Sequence, residues 1–366
     1  MDHLIVIPAL NPGKELISYA ESLRAHGYSN ILVVDDGSRD DFRFIFDTLE
    51  NDGCILLRHE VNMGKGRALK DAMTYYLEHF HDAAVNESGT SNGVYGIITV
   101  DSDGQHTIED VNKVAAAMDT DPDALILGAR DFDTGNVPPK SKFGNKCTKV
   151  ALKLFIGGNI SDTQTGLRGI PDSMVERFSN LSGERFEYET VMMIDAIHSN
   201  DRIVEVPIET VYIDNNSETH FNPIKDSIRI YKVILGTFFK YILSSLSSFV
   251  VDYGIFCGLY ALFTNRQMTE NHSIWIATVA ARICSSLFNY TLNKKVVFKS
   301  ERGPVTLVMY YCLCALQMAA SAGLVSLVNM AGFIPVQLAK IVVDTLLFLV
   351  SFRIQKMLIF KNPEKQ

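Results

Sequence analysis

VYGIITVDSDGQH, residues Val94–His106, is the stretch that decides the fold. It opens as an apolar, β-branched run from Val94 and ends in two aspartates, Asp101 and Asp103, one residue apart. A run that is apolar on both faces reads as a strand buried in a sheet covered on both sides. The acidic turn then falls at the strand's C-terminal end, where sheets of this kind bind ligands. Two carboxylates so spaced can present oxygens to a hard divalent cation and leave coordination sites for a diphosphate.

The same grammar repeats upstream and downstream. Leu4–Pro8, Asn30–Asp35, Cys54–His59 and Ala124–Gly128 read as further buried strands, and Glu15–His26, Phe42–Asn51, Gly66–Phe80 and Ile108–Met118 read as helices between them. Strand–helix alternation predicts an α/β domain with a mostly parallel sheet. Polar clusters again follow strands, as VVDDGS at Val33–Ser38 and Gly128-Ala129-Arg130. Together they would form the floor of one pocket. Asp82–Gly93 is polar and reads as a surface loop, and no internal repeat is evident.

Several function classes are excluded. No strand is followed by G-x-G-x-x-G, which counts against nicotinamide and flavin enzymes, and Gly64-Lys65-Gly66 lacks the spacing of a phosphate-binding NTPase loop. A net charge of −8 argues against nucleic acid as a partner. The six cysteines form no C-x-x-C pair, and Cys257, Cys284, Cys312 and Cys314 lie in apolar stretches, a pattern of reduced thiols.

Beyond about Lys240 the composition changes. Tyr241–Phe263, Ser273–Leu292, Thr306–Val328 and Pro335–Phe352 each approach the roughly 20 residues that cross a hydrocarbon core. Basic residues concentrate in the second connection (Lys294, Lys295, Lys299, Arg302) and in the tail (Arg353, Lys356, Lys361, Lys365). The positive-inside rule then puts both termini and the first domain in the cytosol of a multi-pass plasma-membrane protein. The strand-like start, with no signal-peptide pattern, agrees with that expectation. Asp252 and Arg282 fall inside spans and are expected to pair, and Lys340 and Asp344 also lie within or near one. Phe221–Phe239 places Ile224, Ile228, Tyr231, Ile234 and Leu235 at helical spacing with Lys225, Arg229 and Lys232 between them, which suits a membrane interface. The expected organisation is a catalytic domain at 1–220, an interface helix at 221–239 and a membrane domain at 240–366, through which copies of the chain could associate.

These residues carry a resemblance. Pro8-Ala9-Leu10-Asn11, VVDDGS, NMGKGRAL at Asn62–Leu69, DSDGQH, DTQTGLR at Asp162–Arg168, RFEYE at Arg185–Glu189 and EVPIETVY at Glu205–Tyr212 resemble the family-2 inverting glycosyltransferases. The run from Asn216 to Phe221, followed by Asp226-Ser227, is similar to the polyprenyl-phosphate (dolichol-phosphate mannose synthase-like) branch, and the last third resembles a GtrA-like four-helix transmembrane domain. The resemblance implies a Rossmann-like GT-A catalytic domain plus an all-α membrane domain. It implies a nucleotide-sugar donor of the UDP-glucose or GDP-mannose class, with Pro8 and Asp36 lining the base and ribose pocket and Lys65 near the nucleotide. Asp101, Asp103 and Gln105 would hold Mg²⁺ or Mn²⁺. Arg130 would face the phosphate of a polyprenyl acceptor in the membrane, helped by His220 and by a basic residue from Lys140, Lys142 or Lys146, Lys142 first. The chain departs from the family at Leu10 and Pro12, where relatives carry Tyr and Glu.

The implied reaction is an in-line displacement with inversion, for which glucose on undecaprenyl phosphate is the expected product pair. Were the acceptor a hydroxyl on a lipid-linked glycan, a carboxylate base would be required, and Asp103, Glu187 and Glu189 are the candidates. A lipid-linked sugar translocase with a vestigial transferase domain is the other alternative. A processive synthase is disfavoured, because its Q-x-x-R-W signature is missing and Trp275 lies inside a span.

Overall fold

The computed structural model describes residues 3–81, 94–131, 139–158, 160–209, 225–266, 268–331 and 335–361. Asp82–Gly93, His220 and the start of the Phe221–Phe239 segment lie outside them, as does the side chain of Lys140. The chain divides into two compact units, Met1–Ile234 and Leu235–Gln366.

In the first unit the elements run β1 (Leu4–Ala9), α1 (Glu15–Ala25), β2 (Ile31–Asp35), α2 (Arg43–Asn51), β3 (Ile55–Arg58), α3 (Lys65–His79), β4 (Ile97–Thr99), α4 (Ile108–Thr120) and β5 (Leu125–Arg130). There follow α5 (Pro139–Ala151), β6 (Arg168–Ile170), α6 (Asp172–Ser179), α7 (Glu187–His198) and β7 (Ile203–Ile208). The strands form one seven-stranded sheet in the order β3-β2-β1-β4-β6-β5-β7. β1, β2, β3 and β4 pair in parallel, as do β5 and β7, while β6 runs antiparallel between β4 and β5. The expected Rossmann-like, mostly parallel sheet is therefore present, with one reversed strand that the sequence did not announce.

Burial explains the elements. Every residue of β1 and β2 is buried, as continuous apolar runs in a two-sided sheet must be. Helix α1 buries Leu16, Ala20 and Leu23 at helical spacing against that sheet. Helix α4 starts where the Thr107 side chain accepts the Asp110 amide at 3.2 Å. Fully buried Asp110 in turn accepts the Glu209 amide at 3.1 Å, tying α4 to the end of β7. The reversed strand delivers the preceding loop to the sheet edge, where Thr99 Oγ1 donates to the Gly166 carbonyl at 2.8 Å.

The second unit is all-helical: α8 (Lys225–Asn265, which begins in the first unit), α9 (Glu270–Leu292), α10 (Val305–Ala331) and α11 (Val336–Ile354). These four coincide with the four expected spans. Helices α8 and α10 are long and apolar enough to cross a membrane. Polar residues dilute α9 (Asn271, His272, Arg282, Asn289) and charges dilute α11 (Lys340, Asp344), so these two do not meet that standard on their own. The packing is inverted relative to a water-soluble bundle. Phe249, Trp275, Leu316 and Met318 point outward, while Ser244, Ser248, Asn293, Ser351 and Gln355 are buried. The expected Asp252–Arg282 pair is present at 3.6 Å, and Ser285 Oγ donates to Asp252 at 2.8 Å. Lys340 meets Asp344 at 2.9 Å with Ser321 bridging them.

A repeat that the sequence reading missed emerges here. Helices α9 and α11 each end in a π-helical turn, Asn293–Val297 and Gln355–Ile359, followed by Phe298-Lys299 and Phe360-Lys361. The corresponding residues face one another: Asn293 Nδ2 donates to Gln355 Oε1 at 3.0 Å, and Phe298 stacks on Phe360 at 5.3 Å. Cross-contacts are reciprocal, with Phe298–Phe352 and Tyr290–Phe360 both at 5.8 Å. Likewise Tyr241 of α8 reaches Ser351 of α11, and Tyr310 of α10 reaches Asn289 of α9. Asn293 also accepts from Ser244 at 2.8 Å, so α8, α9 and α11 share one buried polar knot. Asn293→Ala should cost about 1–3 kcal/mol by leaving buried partners unsatisfied, read as an earlier thermal transition of detergent-solubilised protein.

Candidate active site

The ends of β1, β2, β4 and β5 lie on one edge of the sheet and bring Pro8, Asp36, Asp101, Asp103 and Arg130 there. Pro8 is buried within β1, in register with Val34 of β2. Asp36 follows β2 and is 4% exposed. Its carboxylate accepts the Met63 amide at 2.9 Å and the Gly64 amide at 2.8 Å, and His59 Nδ1 lies 2.8 Å away. Asp36 thus holds the segment from which Lys65 projects, with His59 also 3.1 Å from Asp71. His59 and Asp71 were not singled out from sequence, since nothing local links them to Asp36.

Lys65 opens α3 and reaches across the edge. Its ammonium sits 2.6 Å from Asp101 Oδ1 and 2.9 Å from Glu189 Oε1. Gly64 and Gly66 serve this approach rather than a phosphate loop. A Cβ on either would collide with the Glu184–Tyr188 segment, and Gly64 has φ +105°. The Arg67 amide donates to the Glu184 carbonyl at 3.0 Å and Lys70 pairs with Glu184 at 2.6 Å, so the starts of α3 and α7 are docked.

Asp101 is crowded. A Cβ on Gly166 would overlap its carboxylate, and His106 Nε2 lies 3.6 Å from its other oxygen. Burial would raise the Asp101 carboxyl, but the Lys65 ammonium and His106 outweigh it and hold it well below the usual carboxylate range. Asp103 has the opposite fate: burial, and then the charge of Asp101, push its carboxyl up. Burial lowers Lys65, yet Asp101 and Glu189 together carry it above an ordinary lysine. Gln105 donates its backbone amide to Asp103 Oδ1 at 3.1 Å, and the Nδ1 atom of buried His106 has no hydrogen-bond partner among the described residues.

Two adjacent carboxylates that repel one another, with an amide side chain nearby, make a hard-oxygen donor set that suits Mg²⁺ or Mn²⁺. Among the described residues no group of three or more His, Cys, Asp and Glu converges into a complete protein cage. Mg²⁺ is commonly held by one or two carboxylates together with substrate oxygens and water.

Arg130 ends β5 and is gripped by fully buried Asp162, Nε at 2.6 Å and Nη2 at 3.0 Å. The Asp162 loop is fixed in turn by Glu205, which accepts the Ser161 amide at 2.6 Å, and by Asn145, whose Oδ1 accepts the Thr163 amide at 3.2 Å. Lys142 and Lys146 are exposed on α5. Arg168 is fully buried and donates to the carbonyls of Thr165 at 2.9 Å and Glu189 at 2.7 Å. Glu187 accepts the Glu184 and Arg185 amides and so caps the start of α7.

With this geometry in view, comparison with known proteins is decisive. Residues 4–178 match the family described as Glycosyl transferase family 2. A UDP-N-acetylglucosamine–dolichyl-phosphate N-acetylglucosaminyltransferase of Methanococcus voltae is 30% identical over 57% of this chain and 86% of its own length. The chain belongs to glycosyl transferase family 2. Its sheet is the GT-A-like scaffold of that family, and the N-terminal unit is a glycosyltransferase domain. Residues 232–360 match the GtrA/DPMS transmembrane domain, so this family 2 enzyme carries a membrane-associated region. A polyprenol monophosphomannose synthase of Mycolicibacterium smegmatis is 26% identical over 56% of this chain and 76% of its own. Among solved structures, glucosyl-3-phosphoglycerate synthase from Mycobacterium tuberculosis, crystallised with Mn²⁺ and UDP, is 16% identical over 63% of this chain and 78% of its own, with a TM-score of 0.45.

Two outcomes are expected. Gly166→Ala should push the Asp101 carboxylate aside and cut turnover about 100-fold, with an unchanged far-UV circular dichroism spectrum. A carboxyl raised in the folded state binds its proton more tightly there than in the unfolded chain, so ionising Asp103 costs stability as pH rises above the usual carboxylate range. Asp103→Asn should therefore raise the melting temperature of metal-free protein at neutral pH, by about 2–4 °C per kcal/mol relieved, and the gain should vanish in acid.

Proposed function

We propose that this enzyme transfers a hexose, with inversion, from a nucleotide sugar to a polyprenyl phosphate at the cytosolic face of the plasma membrane, in cell-envelope glycan assembly. The observation that carries the reading is the Lys65–Asp101 pair beside Asp103 at the sheet edge, a cationic and a cation-binding group poised for one diphosphate. The acceptor is supported by the membrane-domain match and by two relatives that differ in sugar but are both named for a polyprenol-type lipid phosphate. Glucose from UDP-glucose is the proposed donor, to be screened beside N-acetylglucosamine and mannose donors.

Asp101 and Asp103, with Gln105, would hold Mg²⁺ or Mn²⁺, which supplies Lewis-acid neutralisation of the leaving diphosphate. Lys65 adds a second positive charge toward the same anion, on a segment anchored by Asp36, with Pro8 on the adjoining strand. On the acceptor side Arg130, oriented by Asp162, aligns the phosphate, helped by Lys142 and by His220. A phosphate monoester is already anionic at neutral pH. These groups therefore orient the nucleophile and need not deprotonate it.

Polyprenyl phosphate and labelled nucleotide sugars incubated with the purified enzyme should give a chloroform-extractable, acid-labile product. Label on a hydroxyl of a lipid-linked glycan, or no lipid product with any donor, would overturn the reading. Asp103→Asn should lower metal-dependent formation of that product at least about 100-fold. Arg130→Ala should raise the KM for the lipid about tenfold while the donor KM stays put.

A further inference from the structure

Glu189 has no place in the mechanism above, yet it is one of the least exposed carboxylates in the molecule, its side chain 9% exposed. A first-turn glutamate that merely complemented the α7 dipole would stay in water, and Glu187 already supplies the capping hydrogen bonds. Burying an unpaired carboxylate is costly, so Glu189 requires its cation. That cation is Lys65, at 2.9 Å. Both ends of the contact are fixed: α3 and α7 are docked through the Arg67–Glu184 backbone bond, and buried Arg168 holds the Glu189 carbonyl at 2.7 Å.

Lys65 also lies 2.6 Å from Asp101, whose side chain is the more exposed of its two partners at 29%. A divalent cation arriving between Asp101 and Asp103 would meet an ammonium already on one of its ligands. Coulomb repulsion at such a distance is severe, so Lys65 has to withdraw. Glu189 is the second anion already in contact with that ammonium, and an ammonium has three donors to redistribute. Resting on the reading that Asp101 and Asp103 hold a cation, we propose that Glu189 is a positioning residue that retains the Lys65 ammonium and so frees Asp101 for the metal. Retained there, Lys65 keeps its charge beside the leaving diphosphate and does not swing into solvent.

The test is Mn²⁺ affinity of the full-length protein, measured by electron paramagnetic resonance of free Mn²⁺ without any nucleotide sugar. In Glu189→Gln, Lys65 has Asp101 alone as its carboxylate, and Mn²⁺ should bind about tenfold more weakly. Lys65→Met should bind Mn²⁺ more tightly than wild type. In Lys65→Met/Glu189→Gln the loss caused by the glutamine should disappear. Glu189→Asp, which keeps the charge, should retain most of the affinity, and stands in if the glutamine variant does not fold. Wild-type affinity in Glu189→Gln, or an equal loss with and without Lys65, would overturn the proposal while leaving the cation site intact. No Mn²⁺ binding by wild-type protein would overturn the cation site, and the role of Glu189 with it.

Discussion

A carboxylate at the end of a buried strand must be kept ionised in a place that disfavours charge, and this requirement organises the catalytic unit. Asp101 meets it through Lys65, and everything near by serves that pairing. Asp36 anchors the segment before Lys65, two glycines let α7 close on the start of α3, and the reversed strand β6 brings Gly166 against the carboxylate because no side chain would fit there. Asp103 shows the other side of the arrangement. Burial, and then the charge of Asp101, resist its own ionisation. On the proposed function, that repulsion is what a bound cation would relieve.

The membrane-associated unit solves a different problem. Apolar surface is no liability when lipid surrounds it, so specificity of packing falls to interior polar groups. Serine, asparagine, glutamine and tyrosine side chains from all four helices interlock around Asn293 and Gln355. Aromatic rings close the same end of the bundle.

Much of this was legible in the sequence, for identifiable reasons. Strands β1 to β5 and helices α1 to α4 appeared within a few residues of their bounds, because long apolar runs and helical spacing are local signals. The D-x-D turn and Arg130 stood out because they follow such strands, and Lys65 through the family resemblance. Strand β6 did not, being three residues long and led by Arg168, which looks like a surface charge yet is wholly buried. Strand β7 is an edge strand of intermediate burial, and its IVEVPI pattern was noted only as part of a motif. The parts played by Asp162, Gly166 and Glu189 depend on segments distant in sequence meeting at one edge. No periodicity reports that. The helical repeat escaped for a related reason: its two copies share few identities, and only the matching π-turns and reciprocal contacts expose it.

That repeat bears on which substitutions the membrane-associated portion tolerates. Two hairpins, α8–α9 and α10–α11, meet through their equivalent residues, Asn293 against Gln355 and Phe298 against Phe360. Contacts between equivalent positions lock the two hairpins together at that end of the bundle. Because Asn293 and Gln355 are both buried, a change on either side of this contact has to leave the other a hydrogen-bonding partner.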